Sequence, residues 1–173
     1  DRYNPLGLSK ISGNILDDRF SSDVGGYALA TQYAMTVGEF AQYINNEYKI
    51  GCDLHVAPCI GLERDKDYRH YRPHWVLPSP NIPTFDTALC YVGTVLFEGT
   101  NVSEGRGTTK PFEFIGAPWM RHFEVVKFMS AQKLEGVNFM PVCFRPTFSK
   151  HAGELCNGVQ IFITDYDKFD PYR

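Results

Sequence analysis

The sequence lacks the features that mark several large classes of protein. Its 173 residues contain no apolar run near the roughly eighteen residues that cross a bilayer, so we expect no membrane span. The formal net charge of −3 provides no basic patch, which argues against nucleic acid as a partner. There is also no GxxxxGK[ST], HExxH or GxSxG motif and no GxGxxG that opens a helix, so nucleotide-binding, zinc-protease and serine-hydrolase chemistry is not indicated.

Cysteine and histidine are too sparse and too irregular for a metal centre. The five cysteines form no CxxC pair and their number is odd, so neither a disulfide framework nor a zinc pattern is predicted. Most are expected to be buried thiols, and this is also the preferred interpretation of Cys156, although His151 lies near it in sequence. His70 and His74 lie four apart, but Pro73 between them interrupts the helical face that a metal pair needs. We therefore predict no metal and no cofactor.

The composition fits one globular domain, residues 1–173, with 43% hydrophobic and 21% charged residues. The turn-rich start, with Asn4-Pro5 and Gly7, suggests that a preceding part is missing. Residues 11–33 show little periodicity and are interpreted as loop with at most one short element.

Helices are predicted at three places. Thr36 to Glu39 has the S/T-x-x-E form of a capping box, and apolar residues at i, i+3 and i+4 follow, so a helix is expected from Thr36 to residues 46–49. Capping gives Glu39 a complete structural explanation before any catalytic role is considered. Thr84 is expected to cap a second, short helix. Pro118 suits the first turn of a third helix that runs to about Gln132.

Strands are predicted at residues 52–57, 95–97, 137–144 and 158–164. Together with the helices they indicate an α/β fold, in which helices flank a mixed sheet. The segment Val95-Leu96-Phe97 is interpreted as a buried strand that ends at Glu98.

The segment after Phe97, EGTNVSEGRGT, concentrates the polar groups of the chain. Loops on a rigid scaffold often carry binding groups, and glycines allow the backbone to approach a ligand closely. The alternative is a structural turn whose polar side chains bond their own backbone. The candidate side chains suit a ligand with many hydroxyls and are Glu98, Thr100, Asn101, Glu104 and Arg106.

Five segments resemble, in order, the NamZ-type exo-β-N-acetylmuramidases, formerly a domain of unknown function. They are DRYNPLG, MTVGEFA, PSPNIPTFDTALCYVGTVLFEGTNVSEGRGTTKPFEFIGAPW, FRPTFSKHAGELCNGVQIFITD and FDPYR. The resemblance implies secreted or periplasmic enzymes that release terminal N-acetylmuramic acid from peptidoglycan fragments. It also implies a Rossmann-like N-terminal domain, a C-terminal α/β domain and a cleft between them. On this basis we expect the chain to be the C-terminal part only, without the Rossmann-like domain and the extreme C-terminus.

The resemblance also assigns site residues. Asn81, Glu98, Asn101 and Arg106 would line the cleft, with Glu39 beside it. Glycoside hydrolysis requires two carboxylates, for which Glu39 and Glu98 are the candidates. Arg106 is suited to the lactyl carboxylate of muramic acid, which it can bind bidentately. The remaining candidates for binding an amino-sugar glycan or muropeptide are Asn81, Thr100, Asn101 and Glu104.

Two features keep other functions open. Tyr33 stands where the family usually has His, which removes a group that titrates near neutral pH. A non-catalytic relative that binds carbohydrate or serves as a structural assembly subunit is therefore the alternative, because fold does not fix function. Asn101-Val102-Ser103 also forms an N-x-S acceptor, which would fit a glycosylated extracellular domain.

Overall fold

The computed structural model describes residues 1–71 and 74–173, which divide into two compact units. The first unit is Asp1–His74 and the second is Trp75–Arg173. Pro73, on which the argument against a His70–His74 metal pair depends, lies outside the described residues. The architecture is mixed α/β, with small sheets and helices.

The first unit contains a β-hairpin and two helices. Strands β1 (Ser12–Ile15) and β2 (Ala30–Gln32) pair antiparallel and are followed by helices α1 (Val37–Glu47) and α2 (Tyr68–Tyr71). The prediction of loop with at most one short element over residues 11–33 is therefore wrong. The hairpin is hard to see in the sequence because its register is irregular and its strands are short and largely exposed.

Helix α1 confirms the predicted capping box. The Thr36 hydroxyl accepts a hydrogen bond from the Glu39 amide at 3.1 Å, and a Glu39 carboxylate oxygen accepts one from the Thr36 amide at 3.0 Å. The helix ends at Glu47, within the expected range. The strand predicted over residues 52–57 does not form, since the Asn45 side chain binds both the amide and the carbonyl of Cys52.

The second unit is built around a three-stranded antiparallel sheet. Its elements are α3 (Phe85–Thr94), a 3₁₀ helix (Val95–Gly99), β3 (Phe114–Ala117), α4 (His122–Ala131), β4 (Val137–Phe144) and β5 (Cys156–Ile163). The strand order is β3-β5-β4, and α4 packs against β4 and β5. Both sheets of the described residues are antiparallel, so the expected mixed sheet is wrong in that respect.

The sequence prediction of these elements is partly correct. Thr84 caps α3, and β4 has the predicted bounds. Val95–Phe97 is not a buried strand but belongs to the 3₁₀ helix that extends α3, and Leu96 is 58% exposed. Helix α4 begins at His122 rather than at Pro118, because the Met120 amide donates to the Ala117 carbonyl in a turn.

The cysteines differ from expectation as well. All five are free, but only Cys90 and Cys156 are buried, while Cys52 and Cys143 are exposed. Burial raises the pKa of the Cys90 and Cys156 thiols, so both stay protonated at neutral pH. Cys156 is therefore a poor nucleophile.

None of the helices in residues 1–71 and 74–173 is long and apolar enough to cross a membrane. Over the same residues no group of three or more His, Cys, Asp or Glu side chains is arranged to hold a metal ion.

Candidate functional site

The polar loop after the 3₁₀ helix is fixed to the sheet and to the β4–β5 connection. Ser103 and Gly116 exchange two backbone hydrogen bonds, of 2.8 and 3.0 Å, which tie the loop to β3. The Thr147 amide donates to the Gly107 carbonyl at 2.9 Å and ties down the other end. Gly107 has φ +82°, and a Cβ there would lie 2.6 Å from the Phe148 carbonyl oxygen, so only glycine fits this close approach.

A buried ion pair supports the loop from beneath. The side chain of Glu104 is 2% exposed, and its Oε2 accepts a hydrogen bond from Lys150 Nζ at 3.0 Å. Lys150 Nζ also donates to the carbonyls of Phe97 and Val102, at 2.7 and 3.2 Å. One ammonium thus joins the end of the 3₁₀ helix, the loop backbone and the buried carboxylate.

The exposed part of the loop carries a second ion pair. Arg106 donates from Nε at 2.9 Å and from Nη2 at 2.5 Å, both to Oε1 of Glu98. Its guanidinium carbon lies 4.9 Å from the ring centre of buried Phe112, and its Nε lies 3.5 Å from Glu104 Oε1. The Glu98 and Arg106 side chains are 40% and 29% exposed.

This geometry leaves two groups for a ligand. Among the described residues, no protein atom forms a hydrogen bond with Oε2 of Glu98 or with Nη1 of Arg106. One carboxylate oxygen and one guanidinium nitrogen of the pair are therefore available to a ligand. The packing against Phe112 and the contact with Glu104 hold Arg106 in place without using Nη1.

Thr100 and Asn101 differ in what their side chains do. The Thr100 hydroxyl donates to the Phe97 carbonyl at 2.8 Å and accepts from the Val102 amide at 3.1 Å, so it bonds its own backbone. This is the structural-turn alternative, which thus holds for Thr100. The Asn101 carbonyl accepts a hydrogen bond from His151 Nε2 at 2.8 Å, while the Asn101 residue is exposed.

Glu104 requires a revised role. It was expected to bind substrate, but with 2% of its side chain exposed it cannot contact a ligand directly. Its contacts with Lys150 and Arg106 make it a residue that positions the loop. Glu113 is a second nearly buried carboxylate, 4% exposed, and binds Thr87 and Lys110 at 2.6 and 2.8 Å. It therefore has a structural role at the start of α3.

Asn81 is half-buried in a turn that the hydrogen bond from the Ile82 amide to the Ser79 carbonyl closes. No hydrogen bond described for the second unit connects its side chain to the loop. Ion pairs with Arg106 join Glu98 and Glu104, whereas the role of Asn81 stays a prediction.

Glu39 belongs to the first unit and has two partners there. Its Oε1 accepts from Arg64 Nη1 at 2.6 Å, and its Oε2 accepts from the Thr36 amide. These interactions, first the hydrogen bond from Arg64 and then that from Thr36, lower the pKa of Glu39. A lowered pKa does not suit a general acid, which must hold a proton at the working pH.

Three residues next to the loop were not predicted as site residues, namely Trp119, Lys150 and His151. The last two lie in the segment SKHAG between β4 and β5, about fifty positions after the loop. The unusual backbone of this segment, with φ of +70° at Ser149 and +57° at His151, has no signal in the sequence. The only available signal was that both lie within a segment of the family resemblance.

Two protein-family models match the chain and assign it to a family. The family model for "Exo-beta-N-acetylmuramidase NamZ, N-terminal" matches residues 1–86, and that for "Exo-beta-N-acetylmuramidase NamZ, C-terminal" matches residues 89–173. The chain belongs to the NamZ family. The match thus covers both models, since residues 1–86 correspond to the N-terminal one. The expectation of a fragment without the Rossmann-like domain stays a prediction.

Individual relatives agree with this assignment. "Peptidoglycan beta-N-acetylmuramidase NamZ" of Bacillus subtilis (strain 168) is 47% identical over 173 residues, which is all of this chain and 42% of the relative. Two crystal structures of DUF1343 family proteins from Bacteroides fragilis NCTC 9343 are also similar. One has a TM-score of 0.92 at 32% identity over 99% of this chain and 46% of its own. The other has a TM-score of 0.70 at 34% identity over 92% and 42%. The chain spans less than half the length of each relative.

Proposed function

We propose that this NamZ chain is part of a glycoside hydrolase that releases terminal N-acetylmuramic acid from peptidoglycan fragments. The proposal rests on one observation, the exposed Glu98–Arg106 pair on a loop that is fixed from beneath. The similarity to the Bacillus subtilis peptidoglycan β-N-acetylmuramidase, at 47% identity, supports it.

The pair suits a muramic acid residue in two ways. Arg106 can donate to the lactyl carboxylate from the free Nη1 and from the second hydrogen of Nη2, since a guanidinium binds carboxylates through parallel N–H donors. The free Oε2 of Glu98 can accept a hydrogen bond from a sugar hydroxyl or act as the carboxylate that glycoside hydrolysis requires. The neighbouring Asn101 amide provides a donor and an acceptor for the N-acetyl group.

The second catalytic carboxylate is a weaker assignment. Glu39 has a lowered pKa and holds the start of α1, so it suits a base or a nucleophile better than an acid. We propose that the proton donor comes from the remainder of the full-length protein. A Rossmann-like domain there, and a secreted or periplasmic location, are further proposals that rest on the family resemblance.

The test is turnover of a chromogenic β-N-acetylmuramide by the complete polypeptide that contains this sequence. Glu98→Gln should lower kcat/KM by roughly 100-fold or more, the usual contribution of a catalytic carboxylate. Arg106→Lys should raise KM, because an ammonium cannot bind a carboxylate bidentately. Glu39→Gln is expected to have a smaller effect, because Gln can also serve in a capping box.

The matched control is Glu124→Gln, which removes a carboxylate from the exposed Arg121–Glu124 pair of the same unit and should leave turnover unchanged. Equal turnover by the wild type, Glu98→Gln and Arg106→Lys would contradict the proposed site.

The second candidate function is a carbohydrate-binding or structural assembly subunit without catalysis. The observation in its favour is Tyr33, which is 37% exposed and packs against Phe40 in place of the imidazole usual in the family. Such a protein would bind a muramic-acid glycan saturably without cleaving it. Hydrolysis by the purified complete polypeptide would exclude this function.

A further inference from the structure

Trp119 is an exposed aromatic residue beside the polar loop. It is 57% exposed and follows β3, the strand to which the loop is tied through Ser103 and Gly116. Single exposed hydrophobic residues are common on protein surfaces and carry no meaning by themselves. Trp119 differs from such isolated surface residues in its contacts with neighbouring side chains.

The indole is held in place by a residue that also contacts the loop. The rings of Trp119 and His151 lie 5.1 Å apart, centre to centre, at an angle of 82°. His151 Nε2 lies 2.8 Å from the Asn101 carbonyl oxygen, so it must donate, and the His151 side chain is only 16% exposed. The half-buried imidazole therefore links the indole to the loop between Glu98 and Arg106.

The backbone on both sides of the indole is also fixed. The Pro118 carbonyl accepts a hydrogen bond from the Asn157 side chain at 3.4 Å, and the Met120 amide donates to Ala117 at 3.1 Å. An aromatic side chain with two rotatable bonds on such a turn loses little entropy when a ligand binds. An edge-to-face contact occupies one side of the indole, which is consistent with the large fraction that stays exposed.

We propose that Trp119 is a stacking platform for a sugar ring next to the one held by Glu98 and Arg106, an inference that rests on the proposed function. A pyranose ring is apolar on its C–H face and polar at its hydroxyl edge. Its C–H groups, with their partial positive charge, match the negative face of an indole, while its hydroxyls stay free for water or for polar groups.

The contacts favour the neighbouring ring over the terminal one. Trp119 connects to the loop at Asn101, and none of the contacts in the second unit joins it to Glu98 or Arg106 directly. Asn101 is three residues from Glu98, and three residues span at most about 11 Å. Among the described contacts, Trp119 is thus linked to the loop through His151 and Asn101 rather than through the ion pair, and we assign it to the next sugar of the glycan.

The experiment compares two substrates in the complete polypeptide. One is methyl β-N-acetylmuramide, whose aglycone is too small to stack on an indole, and the other is a disaccharide with N-acetylmuramic acid at its non-reducing end. Trp119→Ala should raise KM for the disaccharide roughly five- to tenfold, the size of a typical aromatic contact, with kcat little changed. KM for the methyl glycoside should change less than twofold.

Two further variants separate stacking from folding. Trp119→Phe keeps an aromatic face and should restore most of the disaccharide affinity. Phe128→Ala removes another aromatic residue of the same unit, 64% exposed on α4, and should change neither KM. A retained KM for both substrates in Trp119→Ala, or an equal loss for both, would overturn the assignment to the neighbouring ring.

These outcomes are distinct from a failure of the proposed function. If the wild type binds the disaccharide without cleaving it, calorimetric dissociation constants replace KM and Trp119→Ala should still weaken disaccharide binding. If the wild type neither binds nor cleaves either sugar, both proposals are wrong.

Discussion

Two of the Glu–Arg ion pairs in the described residues, Glu39–Arg64 and Glu98–Arg106, have similar geometry and different surroundings. Glu39 and Arg64 approach to 2.6 Å in the first unit, and Glu98 and Arg106 approach to 2.5 Å in the second. In the first pair both carboxylate oxygens are used, one by Arg64 and the other by the Thr36 amide of the capping box. In the second pair only Oε1 of Glu98 is used, by two nitrogens of the same guanidinium.

The support behind the two pairs also differs. Arg64 is 60% exposed, whereas Arg106 lies over the Phe112 ring and beside the buried Glu104. In the first pair both carboxylate oxygens are occupied, by Arg64 and by the Thr36 amide, and the pair stabilises the start of α1. A pair with a free acceptor, a free donor and rigid backing can bind a ligand, because its geometry is set before the ligand arrives. The residue types alone do not distinguish these two roles.

The largest effect on stability should come from removing the buried support. Glu104→Gln takes the charge from a carboxylate that binds Lys150 and contacts Arg106, and it should lower the free energy of unfolding by about 3 kcal/mol. Denaturant unfolding measures this, with Glu124→Gln as the control, since an exposed pair contributes about 0–1 kcal/mol. Equal losses of unfolding free energy in Glu104→Gln and Glu124→Gln would mean that the buried Glu104 does not support the Glu98–Arg106 pair.

The next effect concerns the backbone role of the first pair. Thr36→Ala removes the hydroxyl that accepts from the Glu39 amide and donates to the Asp1 carboxylate at 2.7 Å, and should cost about 1–2 kcal/mol. Thr100→Ala is the matched control, because that hydroxyl also bonds its own backbone but in an exposed turn. Its unfolding midpoint in urea should hardly move. A larger loss of stability in Thr100→Ala than in Thr36→Ala would contradict this prediction.

The difference between the pairs explains what the sequence could predict. The capping box at Thr36 and Glu39 and the cap at Thr84 were predicted correctly, because capping depends on residues only three positions apart. Strand β4 was found with its bounds for a similar reason, since its eight residues form one distinct segment between turns.

Properties that depend on distant residues could not be predicted. Lys150 lies 46 residues from Glu104, and only the fold shows that it turns this glutamate from a surface group into a buried one. The short apolar run Val95–Phe97 is compatible both with a strand and with a helix extension. It follows α3 directly and continues it as a 3₁₀ helix. Trp119 and His151 likewise meet only through the connection between β4 and β5.

A smaller effect on stability is expected from the charge interaction between Glu39 and Arg64. Arg64 and the Thr36 amide hold the pKa of Glu39 below its ordinary value of 4.5, so the stabilisation is present above that pH and is lost as the pH falls through the lowered pKa. Arg64→Gln removes the main cause and should return the pKa of Glu39 toward 4.5. Carboxyl chemical shifts followed by NMR during acid titration measure this. The matching change in stability should stay below about 1 kcal/mol, because Arg64 and Glu39 are 60% and 35% exposed. An unchanged Glu39 titration in Arg64→Gln would show that the cap alone sets the pKa.

The smallest change in stability is expected for the pair that we assign to function. Glu98→Gln keeps the shape of a side chain that is 40% exposed, and a neutral amide oxygen can still accept from Arg106, so unfolding should shift by no more than about 0.5 kcal/mol. Arg106 remains over Phe112 and beside Glu104 in this variant, which keeps the loop in place. Denaturant unfolding of Glu98→Gln beside the wild type, with turnover measured on the same samples, tests the point. If Glu98→Gln loses turnover but keeps its stability, Glu98 is a ligand-binding carboxylate and not a structural one. A loss of stability as large as that of Glu104→Gln would place Glu98 with the structural residues instead.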